Sequence, residues 1–168
     1  MEEQVSRDEV YHLWVLLLQT RDAMLTAREN ELKEVGVSMI QAGILFMVNT
    51  IPGPATPNEI SRWIFRKPQT VHVVLKQMVK HGLVRKTKDL ERRNMVRISL
   101  TRKGKQALAE SQEKLGVLGE IMSCLSQEER SQLQELLKRV RAKTFAKIDL
   151  KDMPFPEAAT PKGDLATR

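Results

Sequence analysis

Cysteine is almost absent from this chain of 168 residues. A single Cys124 cannot close an internal disulfide, so the fold must hold by packing, and a reducing compartment suits it. Aromatic residues make up only 4%, which leaves Leu, Ile, Val and Met to build the core. No apolar run reaches the roughly 18 residues that a bilayer-crossing helix needs, so a membrane partner is not expected. The opening Met1-Glu2-Glu3-Gln4 is acidic and lacks the basic-then-apolar order of an export signal; the expectation is a cytoplasmic protein. Catalytic signatures are missing as well. His12, His72, His81 and Cys124 do not fall at metal-ligand spacing, and neither a glycine-rich phosphate loop nor a Ser/His/Asp arrangement is present. The expectation is a chain with no catalytic residues, no metal and no cofactor. The eight methionines fit core gaps better than a cofactor site. Cys124, at a helix end beside Leu125, reads as a buried, inert thiol rather than a redox switch.

What the chain has in excess is positive charge, and it is local. The net charge is +7, yet residues 1–55 carry −4 and residues 106–168 carry zero, so residues 56–105 hold +11. A one-sided block of this kind is the electrostatic footprint of phosphate binding.

Helix starts are marked by four capping boxes, Ser6–Glu9, Ser38–Gln41, Thr56–Glu59 and Ser126–Glu129. In each, a hydroxyl accepts from the third helical N–H while the longer side chain reaches back to the cap N–H. Apolar periodicity predicts helices over 7–35, 39–49, 57–64, 68–81, 102–124 and 127–147. The first carries Val10, Leu13, Trp14 and Leu17 and is long enough to need a neighbour along its whole side, such as a second subunit. The last should turn Leu133, Leu136, Leu137, Val140 and Phe145 inward, and the fourth Val71, Val74, Leu75, Met78 and Val79. Gly116 and Gly119 weaken the fifth, by about 1 kcal/mol each relative to Ala, and mark a bend or a close helix contact. After Gly82 the period becomes two: Leu83–Lys88 and Met95–Leu100 alternate as strands around a polar tip at 89–94. Two short helices, the second basic at its start, followed by a hairpin with a basic tip, form a winged helix-turn-helix. The fold expected is mainly α with a small β-hairpin wing. Its parts are a dimerisation helix over 1–36, a DNA-binding domain over 37–105, further dimerisation helices over 106–149 and a mobile tail over 150–168.

The run Asn58-Glu59-Ile60-Ser61-Arg62-Trp63-Ile64, then Thr70-Val71 through Leu75 to Lys80-His81-Gly82-Leu83-Val84-Arg85-Lys86, with the exit Ser99-Leu100-Thr101-Arg102-Lys103-Gly104, resembles the MarR family of bacterial regulators. The resemblance covers about 145 residues, with the flanking helices agreeing in number and length. One departure lies in the wing, where the family places an Arg six residues before the Leu of Leu-Thr. This chain has Asn94 there, with Arg92 and Arg93 just before it. Either the hairpin is one residue longer or the minor-groove role has moved.

Groove geometry determines which side chains can read DNA. The major groove admits one helix and meets its N-terminal residues. Gln69 can pair with adenine, His72 can donate or accept, Val73 can pack on a thymine methyl, and Thr70 lies at the helix start. Lys76 suits a phosphate, as do the Thr56 hydroxyl with the helix start behind it, and Arg62, Arg66 and Lys67. Arg92 and Arg93, with Asn94, are the minor-groove candidates. The long flanking helices lead to a homodimer on pseudo-palindromic double-stranded DNA. The resemblance implies in addition an effector pocket, for which Trp14, Leu17, Met47 and Trp63 are the candidates. It would take a small apolar or phenolic ligand that relieves repression. The alternative is a winged helix used as a protein-interaction module without specific DNA binding; the +11 block argues against it.

Overall fold

The computed structural model describes residues 6–88, 95–113 and 116–148. Their order is α1 (Arg7–Val35), α2 (Met39–Thr50), α3 (Pro57–Trp63), α4 (Pro68–Lys80), β1 (Val84–Lys88), β2 (Val96–Leu100), α5 (Arg102–Glu113), α6 (Gly116–Met122) and α7 (Gln127–Lys147). The architecture is mainly α with one antiparallel hairpin, as expected. The tip residues Arg92, Arg93 and Asn94 and the tail 150–168 lie outside the described residues.

Local chemistry accounts for most element boundaries. Ser38, Thr56 and Ser126 each form a complete capping box with the Gln or Glu three residues on. Ser6 does not: it stands at the N-cap of α1 without a side-chain bond. α1 ends at Gly36, whose amide bonds back to the carbonyls of Leu32 and Lys33. α2 is the central helix, apolar on most sides, and buries Ile44, Leu45, Met47 and Val48. Around it gather Leu32 of α1, Ile60 of α3, Val71, Leu75 and Met78 of α4, Val84 and Ile98 of the hairpin and Leu108 of α5, all buried. Each such side chain contributes roughly 1.5–3 kcal/mol relative to exposure.

The hairpin pairs Val84 with Leu100 through to Lys88 with Val96. A further bridge, Ile98 N–H to the Ala55 carbonyl at 2.8 Å, fastens the segment before α3 to its free edge. Its base is tight. Gly82, at φ +70, stops α4, and the Leu83 amide bonds to the Met78 carbonyl at 2.8 Å. The Thr101 hydroxyl donates to the Gly82 carbonyl at 2.5 Å and accepts from the Gly104 amide at 3.0 Å, so one side chain caps α5 and clamps the exit of α4. At Gly104 a Cβ would stand 1.9 Å from the Leu83 carbonyl oxygen.

Several expectations are corrected. The helix foreseen over 102–124 is described over 102–113 as α5 and over 116–122 as α6, and residues 114–115 between them lie outside the described residues. Glu31 of α1 accepts from the Val117 amide at 3.1 Å. Beside it, the buried Arg28 ion-pairs with Glu31 and donates to the Ser111 carbonyl, tying α1, α5 and α6 together. Cys124 is exposed, not buried, because it falls in the turn before α7 rather than on a packed face. Val79 lies toward the surface, displaced from the inner stripe of α4 that Val71, Leu75 and Met78 fill. Leu136, Leu137 and Val140 of α7 are exposed, since no other described element of the single chain covers that face.

Gly104→Ala is expected to destabilise the chain by about 3 kcal/mol, because backbone stands where the methyl must go. Gly119→Ala, with nothing within 4 Å, is expected to stabilise by about 0.5–1 kcal/mol. Urea melts of both variants check the pair; a loss at Gly119 would reveal a close partner against α6.

Candidate nucleic-acid interface

The helix-turn-helix begins at Thr56. Its hydroxyl accepts from the Glu59 amide at 3.2 Å, and its own amide donates to the Glu59 carboxylate at 3.4 Å. Pro57 takes the first helical position, where a missing N–H costs nothing. α3 ends in a tight bend: the Phe65 amide bonds to the Arg62 carbonyl and the Arg66 amide to the Ser61 carbonyl. That pattern needs a left-handed residue, here Phe65 at φ 53 in place of the usual glycine, at a cost of about 1 kcal/mol. Phe145 of α7 meets it there. The two rings stack with centroids 5.7 Å apart, and the Arg141 guanidinium lies 4.3 Å from the centre of the Phe145 ring.

α4 follows with Pro68 at its first position and Lys67 at its N-cap, with no side-chain cap bond. Its first amides are therefore not taken by a capping side chain. Val71, Leu75 and Met78 bury one stripe. The 3.6-residue period then leaves Gln69, Thr70, His72, Val73 and Lys76 outward, and all five are exposed, Val73 by 60%. The His72 Nδ1 lies 3.2 Å from the Pro68 carbonyl. That bond requires a proton on Nδ1, which leaves Nε2 of a neutral ring as an acceptor. Thr56 sits half-buried at the start of α3. The structure thus brings the α4 candidates together on one surface. Arg92, Arg93 and Asn94 fall outside the described residues.

The effector candidates are not in one environment. Trp14 and Leu17 are exposed on the first half of α1, Met47 is in the core, and Trp63 is half-buried at the end of α3. Among the described residues no group of His, Cys, Asp and Glu could hold a metal ion, and no described helix is long and apolar enough to cross a membrane.

Sequence reasoning misses the contacts that hold the head in place. The Thr101 clamp has a signal, a Thr three residues before a Gly at a helix start. The Phe65–Phe145 stack has none, since 80 positions separate the rings.

Two helices across a tight bend, the second presenting a polar row, and a hairpin behind them define a winged helix-turn-helix. The sequence model of the MarR family matches residues 35–93, which run from the end of α1 through the helix-turn-helix, and over that stretch the chain is similar to the family. No curated protein matches the chain. Among solved structures, the ligand-free form of the organohalide-sensing transcriptional regulator RdhR-CbdbA1625 is 27% identical, over 94% of this chain and 97% of that one, with a TM-score of 0.78. Its 2,4-dichlorophenol-bound form is 29% identical, over 86% and 88%, with a TM-score of 0.72. A cysteine-to-serine mutant of MarR from E. coli, solved with operator DNA, shares the fold at 19% identity, over 79% and 96%, with a TM-score of 0.72.

Thr101→Val keeps the shape of the side chain but removes its hydroxyl bonds to Gly82, Leu83 and Gly104. It is expected to cost about 1–2 kcal/mol, and hydrogen exchange should show the loss first at the end of α4 and the base of the hairpin. Unchanged protection there would mean that the clamp is incidental.

Proposed function

We propose that the chain is a homodimeric, sequence-specific DNA-binding repressor, relieved by a small apolar or phenolic ligand. The observation that carries this is the exposed row on α4 at the centre of the +11 segment. Gln69 pairs with adenine, Val73 meets a thymine methyl, and Thr70 and His72 contact base edges at the head of the helix. Lys76 and the Thr56 turn take phosphates, and Arg92, Arg93 and Asn94 serve the minor groove. The E. coli relative solved with operator DNA supports the duplex as ligand. The exposed apolar faces support the dimer. Val10, Leu13, Trp14 and Leu17 form a stripe on α1, and Leu136, Leu137 and Val140 a second on α7, too much apolar surface for one chain to leave in water. Two-fold pairing through these helices would set the heads about one helical turn apart on a pseudo-palindromic site. The 2,4-dichlorophenol in the RdhR-CbdbA1625 structure supports a phenolic effector, with Trp14, Leu17, Met47 and Trp63 as its candidate contacts once a second subunit encloses α1.

The test is a titration against the duplex upstream of the chain's own gene, at two salt concentrations, beside an unrelated duplex. Gln69→Ala is expected to cost about 1–3 kcal/mol on the specific duplex alone. Lys76→Ala should weaken both duplexes alike and lower the salt slope by about 1. Equal, weak binding to both duplexes by the unaltered protein would favour the protein-interaction reading. Sedimentation at micromolar concentration is expected to give a dimer; a monomer would remove the two-fold site.

A further inference from the structure

The hairpin has an outer face that reading by α4 does not use. Arg85 stands opposite Ser99, and Thr87 opposite Arg97. The pleat sends these four side chains away from Val84 and Ile98, which are buried on the helix side. Between that face, the end of α2, the bend at Gly53 and the first turn of α5 lies an open cleft of about 540 Å³. Arg85, Arg97 and Lys105 line it with Asn49, Gly53 and Ser99, and no acidic side chain is among the described residues around it. Arg85 and Lys105 form no ion pair with a described residue. Arg28, Arg21 and Lys138, by contrast, are paired with Glu31, Asp22 and Glu135.

Like charges around one hollow repel one another, and a multivalent anion between them turns that repulsion into attraction. Guanidinium groups match the paired oxygens of a phosphate, an ammonium adds a point charge, and the Asn49 amide and Ser99 hydroxyl are further donors. A ligand with one charge cannot balance both Arg85 and Lys105.

We propose that this cleft is an anion site, separate from the α4 surface, that takes a small phosphate-bearing ligand of two or more negative charges. It does not depend on the DNA-reading proposal. The same phosphate chemistry is offered by DNA backbone flanking an operator, so the experiment must separate the two sources.

Inorganic tripolyphosphate is the probe, titrated calorimetrically into the full chain at low salt. The expected result is one site per chain, weakened roughly tenfold or more in the double variant Arg85→Gln/Lys105→Gln and unchanged by Lys76→Gln. Both altered residues are exposed, and an unchanged melting temperature verifies that the double variant folds. A parallel titration with the upstream duplex is expected to give the same affinity for the double variant as for the unaltered chain. Tripolyphosphate binding that falls as much with Lys76→Gln would mean a diffuse basic surface and overturn the site. Absent tripolyphosphate binding together with a duplex affinity lost in the double variant would assign these cations to DNA backbone and overturn it equally. If the duplex fails to bind at all, the reading function fails, while the tripolyphosphate titration still decides the site.

Discussion

The close backbone approach between Leu83 and Gly104 governs the rest of the molecule. There the chain leaving α4 and the chain entering α5 pass so near that no side chain fits, and the Leu83 carbonyl accepts the Thr101 amide at 3.1 Å. Three directions are fixed at once: where α4 ends, where the hairpin rises and where α5 sets off. A flexible connection at this point would leave α4 and the hairpin to orient independently, at an entropic cost on every binding event. The Thr101 hydroxyl and Gly104 prevent this with local groups, and the buried Val84 and Ile98 hold the hairpin on the core from the other side.

The opposite end of α5 is secured differently. Arg28 and Glu31 lie one turn apart on α1 and satisfy groups on α5 and α6, the Ser111 carbonyl and the Val117 amide. A largely buried ion pair stabilises little in itself, because desolvation offsets much of its attraction, but it selects one arrangement against others. Here it sets the register of α1 against two helices more than eighty positions away in sequence. The head is thus gripped by backbone at one end of α5 and by a charged knot at the other.

How far this can be foreseen depends on the range of the interaction. Caps at Ser38, Thr56 and Ser126, the stop at Gly82 and the alternation of β2 involve neighbours within a few residues, and all are legible in the sequence. So is the exposed row on α4, because burial of Val71, Leu75 and Met78 dictates what faces out. Periodicity tells which side of a helix is apolar but not what covers it, so it assigns Leu136, Leu137 and Val140 to the core although the single chain leaves them in solvent. Gly116 announces a weak helix, but the bond from the Val117 amide to the carboxylate of distant Glu31 has no local signal. Leu125 beside Cys124 suggests a buried thiol, whereas the exposure follows from the turn that Cys124 occupies. At the site, Arg92, Arg93 and the departure at Asn94 lie outside the described residues.

α1 has one further property, mechanical in kind. It runs unbroken for 29 residues, held near its C-terminal end by Leu32 and the Arg28 knot, while its first turns stand clear of the core. From Arg28 back to Arg7 the helix spans about 32 Å at 1.5 Å per residue, so a tilt of about 5° at the knot moves the far end by roughly 3 Å. Such a rod converts a small angular change beside α5 and α6 into a displacement larger than a methyl group at its tip, and the reverse holds for a push at the tip.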